Sequence, residues 1–292
     1  MAHSDDRPEI EMDRRERIER AVFSFLRYFF PAIKPMLLYL LVQLVCIFVG
    51  AGILNMGMPF DEFIHRKINI YGTLGVIITF HILWKRSKKR GSTFFEDATL
   101  YREDISIKKA VCCLLFSIGA ALALSAFISL LPAVGPVSDY RESVDRVYER
   151  WSVLLGMLFT TFFTPLVEEV IFRGYMLNRL LPHWGEKWSL FAVTLVFAVM
   201  HGTSIWVIYA FIMGWIIGKV SIIEDNIFYA IVLHIGFNLP SAVIWFIYMT
   251  VYGAQEYLET NHPAVLMIGI CGAALAYAGY WYYMKVRRES FG

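Results

Sequence analysis

The chain has 292 residues, 58% hydrophobic and 16% aromatic, with only 18% charged and a formal net charge of +2. A soluble domain rarely sustains that balance, and so small a net charge gives no reason to expect a nucleic-acid partner. The apolar residues fall in blocks of roughly 20, the length that crosses the hydrocarbon core of a bilayer. The expected fold is all-α: a polytopic membrane helical bundle of about eight transmembrane helices, with the lipid bilayer as its first partner.

In chain order, residues 1–35 form an N-terminal segment of mixed charge. It lacks the short basic start, apolar stretch and small-residue cleavage site of a signal peptide. Within it, "RIERAVFSFLRYFFP" has the pattern of an amphipathic helix on the membrane surface, with Pro31 and Pro35 breaking the path that follows. An early start to the first span reads the same residues equally well. The bundle is expected over 36–285, with spans near 36–54, 68–84, 110–132, 153–177, 188–205, 207–223, 227–250 and 264–284, and a cytoplasmic tail over 286–292. Tryptophans and tyrosines near the span ends, among them Trp84, Trp151, Trp188, Trp281, Tyr282 and Tyr283, fit interfacial anchoring.

Lysine and arginine set the expected orientation. The stretch "KRSKKRGSTFFEDATLYREDISIKK", the arginine-rich N-terminal segment, Arg173, Arg179 and Lys187, and the terminal "KVRR" all fall on one side of an eight-span chain. The opposite connections, "SDYRESVDRVYER" and "YGAQEYLETNHPA", are balanced or acidic. Both termini are therefore expected in the cytoplasm, in a multi-pass protein of the cell membrane, or of the endoplasmic reticulum in a eukaryote. Cys46, Cys112, Cys113 and Cys271 sit within expected spans and have neither metal-ligand nor redox spacing.

Ionisable side chains at membrane depth are costly and mark functional sites by default. Three groups stand out. In "EEVIFR", Glu169 and Arg173 are four residues apart and share a helix face, whereas Glu168 points about 100° away. One arginine cannot neutralise both carboxylates. An apolar setting beside a like charge makes Glu168 the better general base. A structural ion pair at the end of a span is the plainer account. In "FAVMH", Phe197 and His201 are four apart; a lone helical histidine is more often a hydrogen-bonded packing residue. In "HIGFN", His234 and Asn238 are again four apart and can converge as two donors on an oxyanion, or clamp two helices together.

The three groups on three spans together make a hydrolytic constellation. Glu168 would take a proton from water, His201 would position that water, and His234 with Asn238 would hold the tetrahedral oxyanion. There is no HExxH zinc helix, no G-x-S-x-G elbow, and no aspartate inside the spans.

EExxxR, FxxxH and HxxxN in this order resemble the CPBP family, which groups type II CAAX prenyl endopeptidases with the Abi immunity and bacteriocin-processing proteins. The resemblance covers roughly 150–245 and rests on Glu168, Glu169 and Arg173, then Phe197 and His201, then His234 and Asn238. It implies an eight-helix intramembrane glutamate protease whose site opens toward the cytoplasm. It makes Glu168 the water-activating residue, His201 its partner, and His234 with Asn238 the oxyanion pair, supported by Glu169, Arg173 and Phe197. It also implies a peptide or prenylated CAAX protein as substrate and no cofactor. Three alternatives use the same residues: a zinc protease with Glu168, His201 and His234 as ligands, a non-catalytic regulatory or immunity protein, and a proton-relay transporter.

Overall fold

The computed structural model describes residues 14–60, 62–63, 68–97, 105–149 and 158–289. The start of the fourth expected span, Trp151 and both ends of the chain lie outside them. Every regular element among the described residues is helical. The first is α1 (Arg14–Ser24), which runs through a π-turn (Phe25–Phe29) into α2 (Phe30–Val49) and a second π-turn (Gly50–Leu54). Then come α3 (Ile68–Lys89), α4 (Phe94–Asp97), α5 (Ile107–Ser129) and α6 (Pro136–Glu149). A π-turn (Phe159–Phe163), α7 (Thr164–Glu169) and a longer π-segment (Val170–Leu177) lead into α8 (Asn178–Val199). The chain closes with α9 (Ser204–Glu224), α10 (Ile227–Thr250), α11 (Ala254–Thr260) and α12 (His262–Glu289).

The expectation of about eight spans is supported in part. Among the described residues, five helical stretches are long and apolar enough to cross a membrane: Ile18–Leu54, Ile107–Ser129, Ser204–Glu224, Ile227–Thr250 and His262–Glu289. The other three expected spans fall short for separate reasons. Helix α3 is diluted by Thr73, Thr79 and His81 and ends in a run of lysine and arginine. The described part of the fourth is divided by π-segments and carries Glu168, Glu169 and Arg173. The fifth is merged into α8, which holds Pro182 and is interrupted at Gly185 (φ 68°, ψ 173°).

The break expected at Pro31 and Pro35 is absent, and the helical path runs through both prolines from Arg14 to Leu54. Proline removes one backbone donor and crowds the preceding turn. The π-turn over Phe25–Phe29 lies in the turn before Pro31, where a wider ring relieves that crowding.

Lipid offers no hydrophobic drive for helices to associate with one another, so close approach and polar links decide the packing. Helices α5 and α12 meet through glycines. A Cβ added at Gly119 would lie 2.4 Å from the Ala276 backbone nitrogen, and one at Gly279 would lie 2.6 Å from that of Phe116. At one end of the bundle, Lys109 Nζ donates to Glu224 Oε2 at 2.7 Å, the Tyr283 hydroxyl donates to Glu224 Oε1, and the Ser106 amide donates to the Tyr229 hydroxyl at 2.8 Å. These bonds join the start of α5, the end of α9, the start of α10 and the end of α12. At the same end, Arg179 donates to the Pro31 carbonyl at 3.0 Å and the Trp184 indole to Ser24 Oγ at 3.0 Å.

Candidate active site

The central polar group is built by a helical segment that would be hard to place in lipid without partners. Glu169 and Arg173, one helical turn apart, are 0% and 1% exposed. Arg173 Nη1 donates to Glu169 Oε1 at 2.9 Å, and Nη2 donates to the Gly214 carbonyl at 2.8 Å. The guanidinium lies over the Phe197 ring, 4.7 Å from its centroid. Gly214 is where α9 lets Arg173 in: a Cβ there would stand 3.2 Å from Nη2 and 3.0 Å from the Phe197 ring. Gly214 and Gly218 form a GxxxG pair, the pattern for close helix approach. That pair was the available sign of an arginine-binding groove, and the sequence reading passed over it.

Glu169 Oε1 has a second partner. His234 Nδ1 lies 2.7 Å away, and the imidazole is 2% exposed. A carboxylate only accepts, so Nδ1 carries the hydrogen and Nε2 faces the other way. It points toward Glu168, whose Oε2 is 3.7 Å distant, beyond hydrogen-bond range. The Glu168 side chain is 21% exposed and lines the cavity, whereas Glu169 is sealed behind it. The expected Glu169–Arg173 pair is present, but the Glu169–His234 link was not foreseen. It joins residues 65 apart in sequence, and helical spacing says nothing about such a pair.

His201 lies in the turn after α8. Its Nδ1 is 2.9 Å from the Phe197 carbonyl, which can only accept, so this nitrogen is the donor and the Nε2 lone pair is left free. Phe197 therefore does two things: its ring supports Arg173 and its carbonyl orients His201.

Asn238 donates through Nδ2 to the Thr160 carbonyl at 3.0 Å. Thr160 lies in the π-turn ahead of α7, so this bond ties that turn to α10. One hydrogen of the amide is thus used for positioning, and the other is left for the site.

Glu168, Phe197, His201, His234 and Asn238 all line one cavity of about 600 Å³. Glu169 and Arg173 form its buried support. The opposite wall comes from α2 and α3, through Tyr39, Gln43 and Thr73, with Tyr140 of α6 and Trp206 of α9 toward one side. None of these was singled out from the sequence, because aromatic and amide residues on apolar helices have no distinguishing pattern. Burial pushes the Tyr140 phenol up to about 12, so at physiological pH it is a neutral hydroxyl. Among the described residues, no three histidine, cysteine, aspartate or glutamate side chains are grouped so as to hold a metal ion.

The cavity thus gathers a carboxylate, two imidazoles and an amide from three helical segments onto one largely apolar space. No curated protein and no solved structure matches the chain. Over residues 150–240, the stretch that carries all seven of these site residues, the chain matches the family described as Type II CAAX prenyl endopeptidase Rce1-like.

Proposed function

We propose that the protein is an intramembrane endopeptidase that hydrolyses a peptide bond of a membrane-associated substrate with water activated by Glu168 and His201. The observation that carries this reading is the convergence of three separate motifs on a single cavity. Glu168 takes a proton from the water as its oxygen bonds to the carbonyl carbon, and the Nε2 lone pair of His201 accepts the second water hydrogen and fixes its direction. The negative charge that forms on the carbonyl oxygen meets Nε2–H of His234 and the remaining amide hydrogen of Asn238. His234 Nδ1 is committed to Glu169, so it donates through Nε2 as an imidazolium. Two carboxylates then balance one guanidinium and one imidazolium. Glu168 passes its proton to the amine as the C–N bond breaks, which returns the carboxylate.

The resemblance supplies a prenylated CAAX terminus as the first substrate to try. In detergent, wild-type protein cleaves a fluorogenic farnesylated CAAX peptide, and Glu168→Ala lowers the rate at least a thousandfold while thermal unfolding stays cooperative. EDTA or phenanthroline leaves the wild-type rate unchanged; loss of activity restored by zinc would assign Glu168, His201 and His234 to a metal instead. Equal rates for Glu168→Ala and wild type would remove the proposed base.

A further inference from the structure

The helix ends of the bundle sort onto two faces, and they sort the charges with them. One face holds the ends of α3, α9 and α12 and the starts of α5, α8 and α10, as the bonds from Glu224, Tyr229 and Arg179 show. The other holds the connections through 55–60, 62–63, 130–149, 200–203 and 251–261. Of the 22 lysines and arginines among the described residues, these connections contain Arg141 and Arg146. Apart from the buried Arg173, the other 19 belong to the first face. Such asymmetry places the basic face in the cytoplasm.

The cavity is at the other end. His201 lies in the 200–203 connection, Trp206 in the first turn of α9, and Tyr140 on α6. On α10, a rise of about 1.5 Å per residue puts His234 about 10 Å from Ile227 and Asn238 about 16 Å, so these two polar side chains sit inside the bundle, with Asn238 on the side away from the basic face. Met200, on the cavity lining, is 42% exposed. Toward the basic face the core is filled: Met176, Leu180 and Ile217 are each 0% exposed, and the Lys109–Glu224–Tyr283 cluster ties the helices beyond them. A second cavity of about 220 Å³, lined by Ser129, Arg141, Gln255 and Glu259, shares Tyr140 and Ser241 with the first and lies at the same end.

A basic cytoplasmic face and a cytoplasmic opening are therefore incompatible in this fold. We propose that the cavity opens on the extracytoplasmic side of the membrane, so that the peptide segment it cleaves is presented there. This rests on the peptidase reading for the chemistry, whereas the side of opening rests on charge and packing alone. The two cavities meeting at Tyr140 give such a segment an apolar, catalytic half and a polar half that leads to water.

The test separates the two. In full-length protein carrying Cys46→Ser and Cys271→Ala, either Met200→Cys or Lys89→Cys is added, and folding is checked by thermal melt. Intact cells expressing each are treated with a membrane-impermeant maleimide. We expect labelling of Met200→Cys at least tenfold above that of Lys89→Cys, with Lys89→Cys reacting only after permeabilisation. Equal labelling, or the reverse order, would overturn the proposal. Cleavage of the peptide in detergent, where both faces are wet, reports on hydrolysis alone. Its absence would sink the peptidase reading and leave the labelling result standing.

Discussion

Glu168 and Glu169 are neighbours in sequence with opposite energetic positions. Glu169 is fully buried and accepts hydrogen bonds from both Arg173 and His234, so removing its charge strands a guanidinium in the core. Breaking a buried pair by one partner costs about 3–5 kcal/mol. Glu168 faces the cavity and lies beyond hydrogen-bond range of His234, so its neutralisation breaks no buried hydrogen bond to that imidazole. We therefore expect Glu169→Gln to lower the thermal midpoint in detergent by about 5–10 °C and to abolish cleavage. Glu168→Gln is expected to abolish cleavage with the midpoint unchanged or raised. Equal midpoints for the two variants would contradict the assignment of Glu169 as the support and Glu168 as the base. Helical spacing alone distinguished the two glutamates, because a four-residue separation selects Glu169 as Arg173's partner. It could not show that the same carboxylate also holds His234, which depends on how α7 and α10 pack.

At the scale of elements, the irregular segment between residues 159 and 177 matters most. A run of π-turns costs hydrogen-bond quality and is found where function requires it. Here Asn238 donates to the Thr160 carbonyl across the helix interface. Asn238→Leu removes that bond. The expected outcome is a still cooperative thermal melt with the cleavage rate reduced about tenfold or more. An unchanged rate would remove Asn238 from the site. The sequence pattern gave all three motif groups their helical faces but not this irregularity, since a proline at the start of a helical turn usually marks an ordinary beginning. The same limitation bears on the three expected spans that fall short among the described residues. Length and apolarity find a straight helix such as α5 readily. They do not show where charges, a proline or a positive-φ glycine break a helix into legs, as in α8.

The whole molecule divides its labour unevenly along the chain. The motifs, and the family match over 150–240, occupy the middle of the sequence. The first helices carry no motif, yet they close the cavity opposite the site through Tyr39, Gln43 and Thr73. Gln43 donates to the Gly72 carbonyl at 3.0 Å, which joins α2 to α3, and a Cβ at Gly75 would stand 2.9 Å from its side-chain carbonyl carbon and oxygen. The amide is thus wedged against a glycine face. From there it can meet a bound peptide but lies across the cavity from Glu168. A wall of this kind acts on how the substrate is held, in the ground state and the transition state alike. Gln43→Leu is therefore expected to raise KM about three- to tenfold, with kcat within about twofold of wild type and the preference among peptide sequences changed. A kcat that falls in step with kcat/KM would instead place Gln43 among the groups that act only in the transition state. That outcome would move part of the chemistry into a half of the chain that carries none of the three motifs.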